Sequence, residues 1–405
     1  MLEFRQIGFL EDPIDVCAEI AAAEHAWPTL FVGTSDDEVR AFVTAAAGLK
    51  FTQPAEGEVY NGMKCISKRA HLANLLADGV NIAVANSLFK YCDDAILRMI
   101  RCNGYRLLSP GDAIMWADKI NACNGDNVTE AINRKQLAAV AQETFLLSPA
   151  HRADYVLDMM GIKKFTYTGR LLIRLMSKGR TEMYWGLHPL LFESFPEACI
   201  VHQAPGASPL IPYLDMLSVL YVVRADGPDL RVPDPRLLHI VQDERYNQKG
   251  EDAVAYSSHW YSGDKNALEG VFKDMLNVLV HSGAGGERRE LVTYAMPNDV
   301  LKRVDEAGVR SVFRGRGFQA TQQYSAVDCT SARVLCYCAN PYFPSASVNY
   351  LRKNEVDLDQ DAYATYHLLR WISRSAVLGG EPVTVYVPSK RMRGLLESWI
   401  QAQGE

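Results

Sequence analysis

The sequence predicts an α/β protein built from mainly parallel sheets that are flanked by helices. Short apolar runs that suit buried strands alternate with amphipathic runs that suit helices, which is typical of a parallel sheet covered on both faces. The length of 405 residues is enough for about two or three domains. With 48% hydrophobic and 22% charged residues, the composition is that of an ordinary globular protein.

The alternation is clearest in the first hundred residues. TLFVGT predicts a strand, and SDDEVRAFVTAAAG predicts a helix with Ser35 as its N-cap and Gly48 as its stop. VNIAVAN and YRLLS predict further strands, with helices at CISKRAHLANLLADG and DDAILRMIRCNG. Residues of about 112–180 have a mostly helical, partly polar pattern, and this predicts a helical insertion.

A segment rich in proline and glycine, VVRADGPDLRVPDPRLLHI, favours a domain boundary. We therefore predict a first lobe over residues 1–222, which carries the insertion, and a second lobe over residues 223–405. In the second lobe RELVTYAMP, ARVLCYCAN and PVTVYVP predict strands. Helices are predicted at KNALEGVFKDMLNVLVHSGAGG, QDAYATYHLLRWISRSAV and SKRMRGLLESWIQAQ.

Charge and residue usage exclude several functional classes. The formal net charge of -6 excludes a globally basic nucleic-acid binder but not a local basic patch. No stretch approaches 18 uninterrupted apolar residues, so we expect no membrane contact. The nine cysteines and nine histidines lack the spacing of a metal site, so we expect reduced thiols and no cofactor.

The stretch from CANPYFPSAS to RMRGLLESWI, residues 338–400, resembles the C-terminal RecA-like domain of superfamily 2 helicases, particularly DEAD-type helicase-like proteins of phages and plasmids. In that family an Asn-Pro stretch precedes a helix with motif VI, a strand and a PS.RMR.LL run. A weaker resemblance covers the first lobe, where ACIVHQAPGASPL lies at the place of the family's Ser-Ala-Thr motif. The resemblance implies two RecA-like lobes with mainly parallel sheets and nucleic acid crossing them.

The ATPase motifs of that family are not found in this sequence. No GxxxxGK[ST] occurs, and FLEDPIDVCAEI, with acids and a proline, stands where the resemblance puts the phosphate loop. The family's Asp-Glu pair is replaced by Ser109, Pro110 and Gly111, with Asp112 as a lone carboxylate that we interpret as a turn residue.

Motif VI is also incomplete. Arg370 takes the position of the family's Gln, Arg374 keeps the first Arg, and Leu378 stands where the second Arg belongs. An uncharged side chain does not stabilise a transferring phosphate. Because three elements fail together, we predict a degenerate member of the family, a pseudo-helicase that is not an enzyme.

A basic helix start is the first candidate for nucleic-acid binding. In SKRMRG, Ser389 is a predicted N-cap, and Lys390, Arg391 and Arg393 lie in the first turn. Cations oppose the helix dipole there, and a bound phosphate would reverse the sign of that interaction. The alternative is a solvated basic turn, or ion pairs with acids such as Glu381.

Two further stretches combine cations or polar groups with aromatics. RSVFRGRGFQATQQYS suits a loop that tracks a strand, and ANPYFPSASVNY follows a strand end, where ligands commonly bind in α/β folds. In both, the alternative is that the aromatics pack into the core. The candidate nucleic-acid ligands are Lys390, Arg391, Arg393, Ser389, Arg314, Arg316, Arg310, Tyr324, Arg374, Arg370, Asn340 and Tyr342.

The function that this pattern favours is a catalytically inactive helicase-like protein that binds single-stranded DNA, or RNA, and recruits phage replication or transcription machinery. Its expected protein partner is a phage or host polymerase or replication protein. Its expected location is the cytoplasm, that of the bacterial host if the chain is phage-encoded. Two alternatives stay open: an active ATP-dependent DNA helicase whose phosphate loop is unrecognised or supplied by a partner, and a structural subunit of a larger assembly.

Overall fold

The computed structural model describes most elements that the sequence predicts, and the following bounds refer to these residues only. The described residues are 1–23, 27–60, 63–65, 67–90, 92, 94–114, 117–120, 137–141, 144–147, 169–175, 181–187, 190–227, 230–263, 267–281, 292–297, 300, 317–320, 329–343, 348, 351–352 and 354–404. The strands are β1 (Leu2–Gln6), β2 (Thr29–Gly33), β3 (Val59–Tyr60), β4 (Met63–Lys64), β5 (Ile82–Ala85), β6 (Arg106–Pro110), β7 (Ala117–Ile120), β8 (Leu137–Ala141), β9 (Thr144–Leu147), β10 (Gly169–Leu175), β11 (Thr181–Leu187), β12 (Ala198–His202), β13 (Tyr221–Ala225), β14 (Leu238–Ile240), β15 (Val292–Met296), β16 (Gly317–Ala320), β17 (Val334–Tyr337) and β18 (Val383–Tyr386).

The α-helices are numbered in the same way along the described part of the chain. They are α1 (Pro13–Ala23), α2 (Asp36–Ala45), α3 (Lys68–Ala77), α4 (Asn86–Phe89), α5 (Asp94–Cys102), α6 (Leu190–Glu193), α7 (Leu210–Met216), α8 (Glu244–Asn247), α9 (Ser258–Gly263), α10 (Ala267–His281), α11 (Gln360–Ile372) and α12 (Lys390–Gly404). None of these helices is both long enough and apolar enough to span a membrane.

The chain divides into two compact units, and each unit consists of three segments that are separate in the sequence. Unit 1 consists of Met1–Arg5, Ile14–His202 and Pro209–Arg224. Unit 2 consists of the rest, which is Gln6–Pro13, Gln203–Ser208 and Ala225–Glu405. The last crossing from unit 1 to unit 2 therefore follows Arg224, in the segment whose prolines and glycines led us to place a boundary at 222.

Unit 1 is built on a six-stranded sheet with the order β13-β1-β12-β6-β2-β5. Strand β2 pairs in parallel with both β5 and β6, and β6 pairs in parallel with β12. Every residue of β2, β5 and β6 is buried, which is expected of parallel strands covered on both faces and explains the apolar runs LFV in β2 and IAVA in β5.

Helix α2 begins as the sequence predicts. The Ser35 side chain accepts a hydrogen bond from the backbone N–H of Glu38, so Ser35 is the N-cap. The carboxylate of Glu38 is buried and accepts the N–H of Thr34, which completes a reciprocal arrangement close to a capping box. Two backbone donors at this helix start are thereby satisfied locally.

The prediction of a helical insertion over about 112–180 is wrong for the residues that the structure describes there. They belong to a five-stranded sheet with the order β7-β11-β10-β9-β8, in which the neighbours are antiparallel. Strands β10 and β11 pair along seven positions, from Gly169 with Leu187 to Leu175 with Thr181. Cross-strand pairing over such a length overrides local helix propensity, which is only a weak preference.

Unit 2 contains a five-stranded sheet with the order β14-β18-β17-β15-β16, and all of its pairs are parallel. Its strands separate two apolar cores. Along β17, Val334 and Cys336 pack in a core with α10, whereas Leu335 and Tyr337 pack in a core with α11 and α12. This alternation follows from the two-residue period of a strand. The predicted α/β class, with two mainly parallel sheets, is thus confirmed.

Three cysteines lie in the two apolar cores of unit 2. Cys329, Cys336 and Cys338 are buried free thiols. Burial raises the pKa of the Cys338 thiol well above its usual value, which favours the neutral form. Among the described residues there is no group of three or more His, Cys, Asp or Glu side chains that could hold a metal ion.

Candidate nucleic-acid interface and the loop after the first strand

Six of the predicted nucleic-acid ligands meet at one edge of the unit 2 sheet. Strands β17 and β18 are parallel neighbours, so their carboxyl ends lie at the same edge. Residues 340–342 follow β17, and residues 389–393 follow β18 and begin α12. The six residues are Asn340, Tyr342, Ser389, Lys390, Arg391 and Arg393.

Arg391 lies at the centre of this edge, and most of its guanidinium is hydrogen-bonded within the protein. Its Nη1 donates to Asn340 Oδ1 at 2.8 Å and to the Pro341 carbonyl at 3.3 Å. Its Nη2 donates to the Gln360 carbonyl at 2.8 Å and lies 2.7 Å from the Asp361 carboxylate. Its Nε also donates to Asp361, at 2.9 Å. Four of the five N–H donors of the guanidinium are thus hydrogen-bonded within the protein, and its charge is paired with Asp361.

The predicted role of Arg391 as a phosphate ligand does not fit this geometry. Its side chain is only 15% exposed, and its contacts join α12 to the start of α11 and to the loop after β17. We therefore interpret Arg391 as the residue that positions this edge of the sheet.

Asn340 is a structural residue of the same edge. It is buried, and its Nδ2 donates to the carbonyls of Ala253 at 2.8 Å and Ala255 at 3.0 Å. Its backbone N–H donates to the carbonyl of Tyr256, whose φ of 66° lies in the left-handed region. With Oδ1 bonded to Arg391, Asn340 has no group left for nucleic acid, and it holds a turn in a conformation that non-glycine residues rarely adopt.

Tyr342 is the aromatic member of the cluster and is partly exposed. Its side chain is 36% exposed, and its hydroxyl donates to the Ala253 carbonyl at 2.9 Å. The guanidinium carbon of Arg391 lies 4.3 Å from the centroid of its ring, a cation–π distance. The next residue, Phe343, instead packs against the ring of Tyr363 at a centroid distance of 3.9 Å.

The start of α12 has the form that the sequence predicts. Ser389 is buried, its carbonyl accepts the N–H of Arg393 at 2.9 Å, and its Oγ lies 3.5 Å from the N–H of Met392. Arg393 donates through Nη1 to the carbonyls of Val387 at 3.0 Å and Pro388 at 3.2 Å. These bonds use part of the Arg393 guanidinium, whose side chain is half-buried.

Lys390 makes a surface ion pair. Its Nζ lies 2.7 Å from Glu251 Oε2, and the two side chains are 64% and 57% exposed. The hydrogen bond from Lys390, and then its charge, hold the pKa of the Glu251 carboxyl below its usual value. The acid that the sequence suggested as a partner, Glu381, instead pairs with Arg333.

Of the remaining predicted ligands, the two that the structure describes, Arg370 and Arg374, do not join this cluster. Arg370 lies in the last turn of α11 and Arg374 follows that helix, so both lie at the end opposite to Asp361. The Nη1 of Arg370 lies 3.4 Å from the hydroxyl of Tyr366. Nine residues of helix separate Asp361 from Arg370, roughly 14 Å along the axis. The other four, Arg310, Arg314, Arg316 and Tyr324, lie outside the described residues.

The loop between β1 and α1 stands where a RecA-like fold has its phosphate loop, and it is filled by its own side chains. The N–H of Gly8 donates to Glu11 Oε2 at 2.6 Å. The amide of Gln203 donates to the carbonyls of Phe9 at 3.1 Å and Glu11 at 3.0 Å. A carboxylate thus takes a backbone N–H that would otherwise be available to an anion.

A bound nucleoside triphosphate with Mg²⁺ does not fit the residues of this loop. The loop contains no lysine for the phosphates and no serine or threonine for the metal. A Cβ at Gly8 would overlap the backbone of Arg231, and the carbonyl of Arg231 accepts the N–H of Leu10 at 3.2 Å. The loop is therefore closed by protein contacts, and the negative charge of Glu11 repels phosphate.

One pair of polar residues in unit 1 was missed by the reading of the sequence. Asp112, which we interpreted as a lone turn residue, has its Oδ1 3.3 Å from Nε2 of the buried His202. These residues follow or end the parallel neighbours β6 and β12, so the strand pairing brings them together. The sequence signal was that both lie at predicted strand ends, but the pairing of those strands was not known.

Comparisons with known proteins agree with this architecture. The C-terminal Rossmann-like domain model of YonV matches residues 235–400. YonV, a protein derived from the SPbeta prophage of Bacillus subtilis strain 168, is 20% identical over 397 residues that cover 92% of each chain.

One solved helicase structure shares the fold at low sequence identity, and a second has a lower similarity. An XPD helicase has a TM-score of 0.51 and 9% identity over 98% of this chain and 95% of its own. A structure of apo XPD has a TM-score of 0.49 and 11% identity over 99% of this chain and 95% of its own. The chain is similar to the prophage protein YonV, and its fold is the α/β fold of the two-lobed RecA-like helicases.

Proposed function

We propose that this chain is a helicase-like protein that binds single-stranded nucleic acid without hydrolysing ATP, and that it recruits phage replication or transcription machinery. The observation that carries the proposed lack of ATP hydrolysis is the hydrogen bond that the Gly8 N–H donates to the Glu11 carboxylate. ATP hydrolysis in such folds needs a loop whose N–H groups, lysine and hydroxyl hold the phosphates and Mg²⁺. Here an internal carboxylate takes the place of a phosphate.

The start of α12 supports strand binding. Lys390 is largely exposed, and its partner Glu251 is also at the surface, where an ion pair contributes little and is screened by salt. A phosphate of a nucleic-acid strand can therefore replace Glu251 at low cost. Arg393 adds a second charge in the same turn, and the helix dipole favours an anion there.

Recruitment is inferred from the origin of a relative and from the proposed lack of ATP hydrolysis. The curated relative is a prophage protein, which points to phage biology. A helicase-like protein that holds a strand without moving along it can serve as a binding platform for other proteins. We propose a phage or host polymerase, or a replication protein, as the partner.

The test combines a binding titration with an ATPase assay on the purified chain. Labelled single-stranded DNA is titrated at several salt concentrations, and phosphate release is measured with and without that DNA. We expect salt-dependent binding and no phosphate release. Lys390→Ala and Arg393→Ala should each weaken binding and lower the slope of log affinity against log salt by about 0.7, the value for one lost phosphate contact on a single strand.

The matched control is Arg236→Ala. Arg236 is 88% exposed and pairs with Asp234, and it precedes β14, at the amino edge of the same parallel sheet. Its loss should leave the salt slope unchanged. DNA-stimulated phosphate release would overturn the proposal in favour of an active helicase, and absence of binding at low salt would remove its nucleic-acid part.

Recruitment is tested separately with an affinity-tagged chain from phage-infected cells after nuclease treatment. We expect a polymerase or replication protein, identified by mass spectrometry, to remain bound. Recovery of virion components, together with absent DNA binding, would instead establish a structural subunit.

A further inference from the structure

We propose that Tyr342 is a stacking platform for an unpaired nucleobase, so that this edge of unit 2 contacts the bases of a strand as well as its phosphates. This inference rests on the proposed binding of single-stranded nucleic acid and adds the ligand group that is recognised. Bases stack on aromatic side chains in proteins that bind single strands without sequence preference.

The position and exposure of Tyr342 set it apart from its neighbours. It follows β17 at the carboxyl edge of a parallel sheet, where ligands of α/β folds commonly bind. The adjacent aromatic, Phe343, packs on Tyr363, whereas Tyr342 keeps 36% of its surface exposed. Packing of this loop is therefore provided by Phe343, and the exposed ring of Tyr342 is available to a ligand.

The ring of Tyr342 is held in place before any ligand arrives. Its hydroxyl is bonded to the Ala253 carbonyl at 2.9 Å, and the Arg391 guanidinium lies 4.3 Å from the ring centroid. Arg391 is itself fixed by Asp361 and Asn340. A side chain that is already ordered loses little conformational entropy on binding, so more of the stacking energy appears as affinity.

The surroundings of Tyr342 supply the other groups that a strand requires. The Arg391 guanidinium covers part of the Tyr342 ring, and the uncovered part is the surface on which we propose that a base stacks. Lys390, which precedes Arg391 at the start of α12, is 64% exposed and is the cation that we propose for the phosphate.

The experiment compares two strands of equal length and charge, one with bases and one with abasic sugars throughout. We expect wild-type protein to bind the base-containing strand about 5- to 150-fold more tightly, the range for stacking of one base on an aromatic ring. Tyr342→Leu, which keeps apolar bulk without a π face, should abolish this preference. Tyr342→Phe, which keeps the ring, should retain most of it.

The strand comparison on wild-type protein needs no variant, so it remains decisive even if Tyr342→Leu disturbs folding. Equal affinity for the two strands would overturn the platform while leaving phosphate binding intact. A preference that survives in Tyr342→Leu would place base recognition elsewhere and would also overturn it. Failure of wild-type protein to bind either strand at low salt would reject the proposed nucleic-acid binding itself.

Discussion

At the scale of single residues, two glycines of unit 2 respond in opposite ways to an added methyl group. Gly250 lies against the backbone that follows β18, where a Cβ would overlap the carbonyl oxygen of Pro388. Gly394 lies inside α12, where a Cβ would meet no atom within 4 Å. The same substitution therefore tests close packing at one site and helix propensity at the other.

We expect Gly250→Ala to lower the free energy of unfolding by about 1–3 kcal/mol, because backbone atoms must move apart to admit the methyl group. Gly394→Ala should raise it by about 0.5–1 kcal/mol, because alanine loses less backbone entropy in a helix. Urea denaturation followed by circular dichroism measures both changes. Equal effects at the two positions would contradict the packing at Gly250.

At the scale of elements, Arg391 connects α12 to α11 and to the loop after β17. The acceptors that it satisfies include the buried Asn340 Oδ1 and the carbonyl of Pro341. Lys390, its neighbour in sequence, makes a single exposed ion pair with Glu251. Two adjacent cations of one helix start thus differ in what they contribute to the fold.

We expect Arg391→Ala to lower the free energy of unfolding by about 2–3 kcal/mol, because it leaves buried acceptors and a carboxylate without their donor. Lys390→Ala should leave that free energy nearly unchanged, since an exposed ion pair is screened by solvent. Denaturant unfolding of both variants provides the measurement. A stable Arg391→Ala protein would show that the network is dispensable, and the residue would then be open to a functional role.

At the scale of the whole molecule, we expect buried tyrosines to make the free energy of unfolding fall at alkaline pH. Burial raises the pKa of several of these phenols far above 10, and the group comprises Tyr105, Tyr256, Tyr261, Tyr337 and Tyr386. Burial, followed by the hydrogen bond and charge of Asp215, raises the pKa of Tyr221 to about 12. In the unfolded chain the same groups ionise near 10.

Because these pKa values are higher in the folded state, the unfolded state releases its protons first as pH rises. The stabilisation is fully present below about pH 10 and is lost as pH increases through the folded-state values. We expect tyrosinate absorbance to rise in two phases, the second coincident with loss of helical circular dichroism. A complete rise in absorbance while the circular dichroism stays native would contradict the burial of these phenols.

Part of the candidate site was predictable because its signals are local. The N-cap roles of Ser35 and Ser389 depend on hydrogen bonds to residues three positions ahead. The run of three cations after Ser389 was equally visible in the sequence. Their partners were not, since Lys390 pairs with Glu251 and Arg391 bonds Asn340 and Asp361, residues that are distant in the chain.

The sequence by itself determined the alternation of strands and helices, since apolar period and capping residues act over a few positions. The tertiary structure alone decided which strands pair, and where residues 112–180 are described it formed an antiparallel sheet in place of the expected helices, with β10 paired to β11. It also decided that Arg391 is mostly buried and bonded within the protein, while Tyr342 stays partly exposed. The physical reason is that hydrogen-bond partners and burial depend on segments brought together from far along the chain.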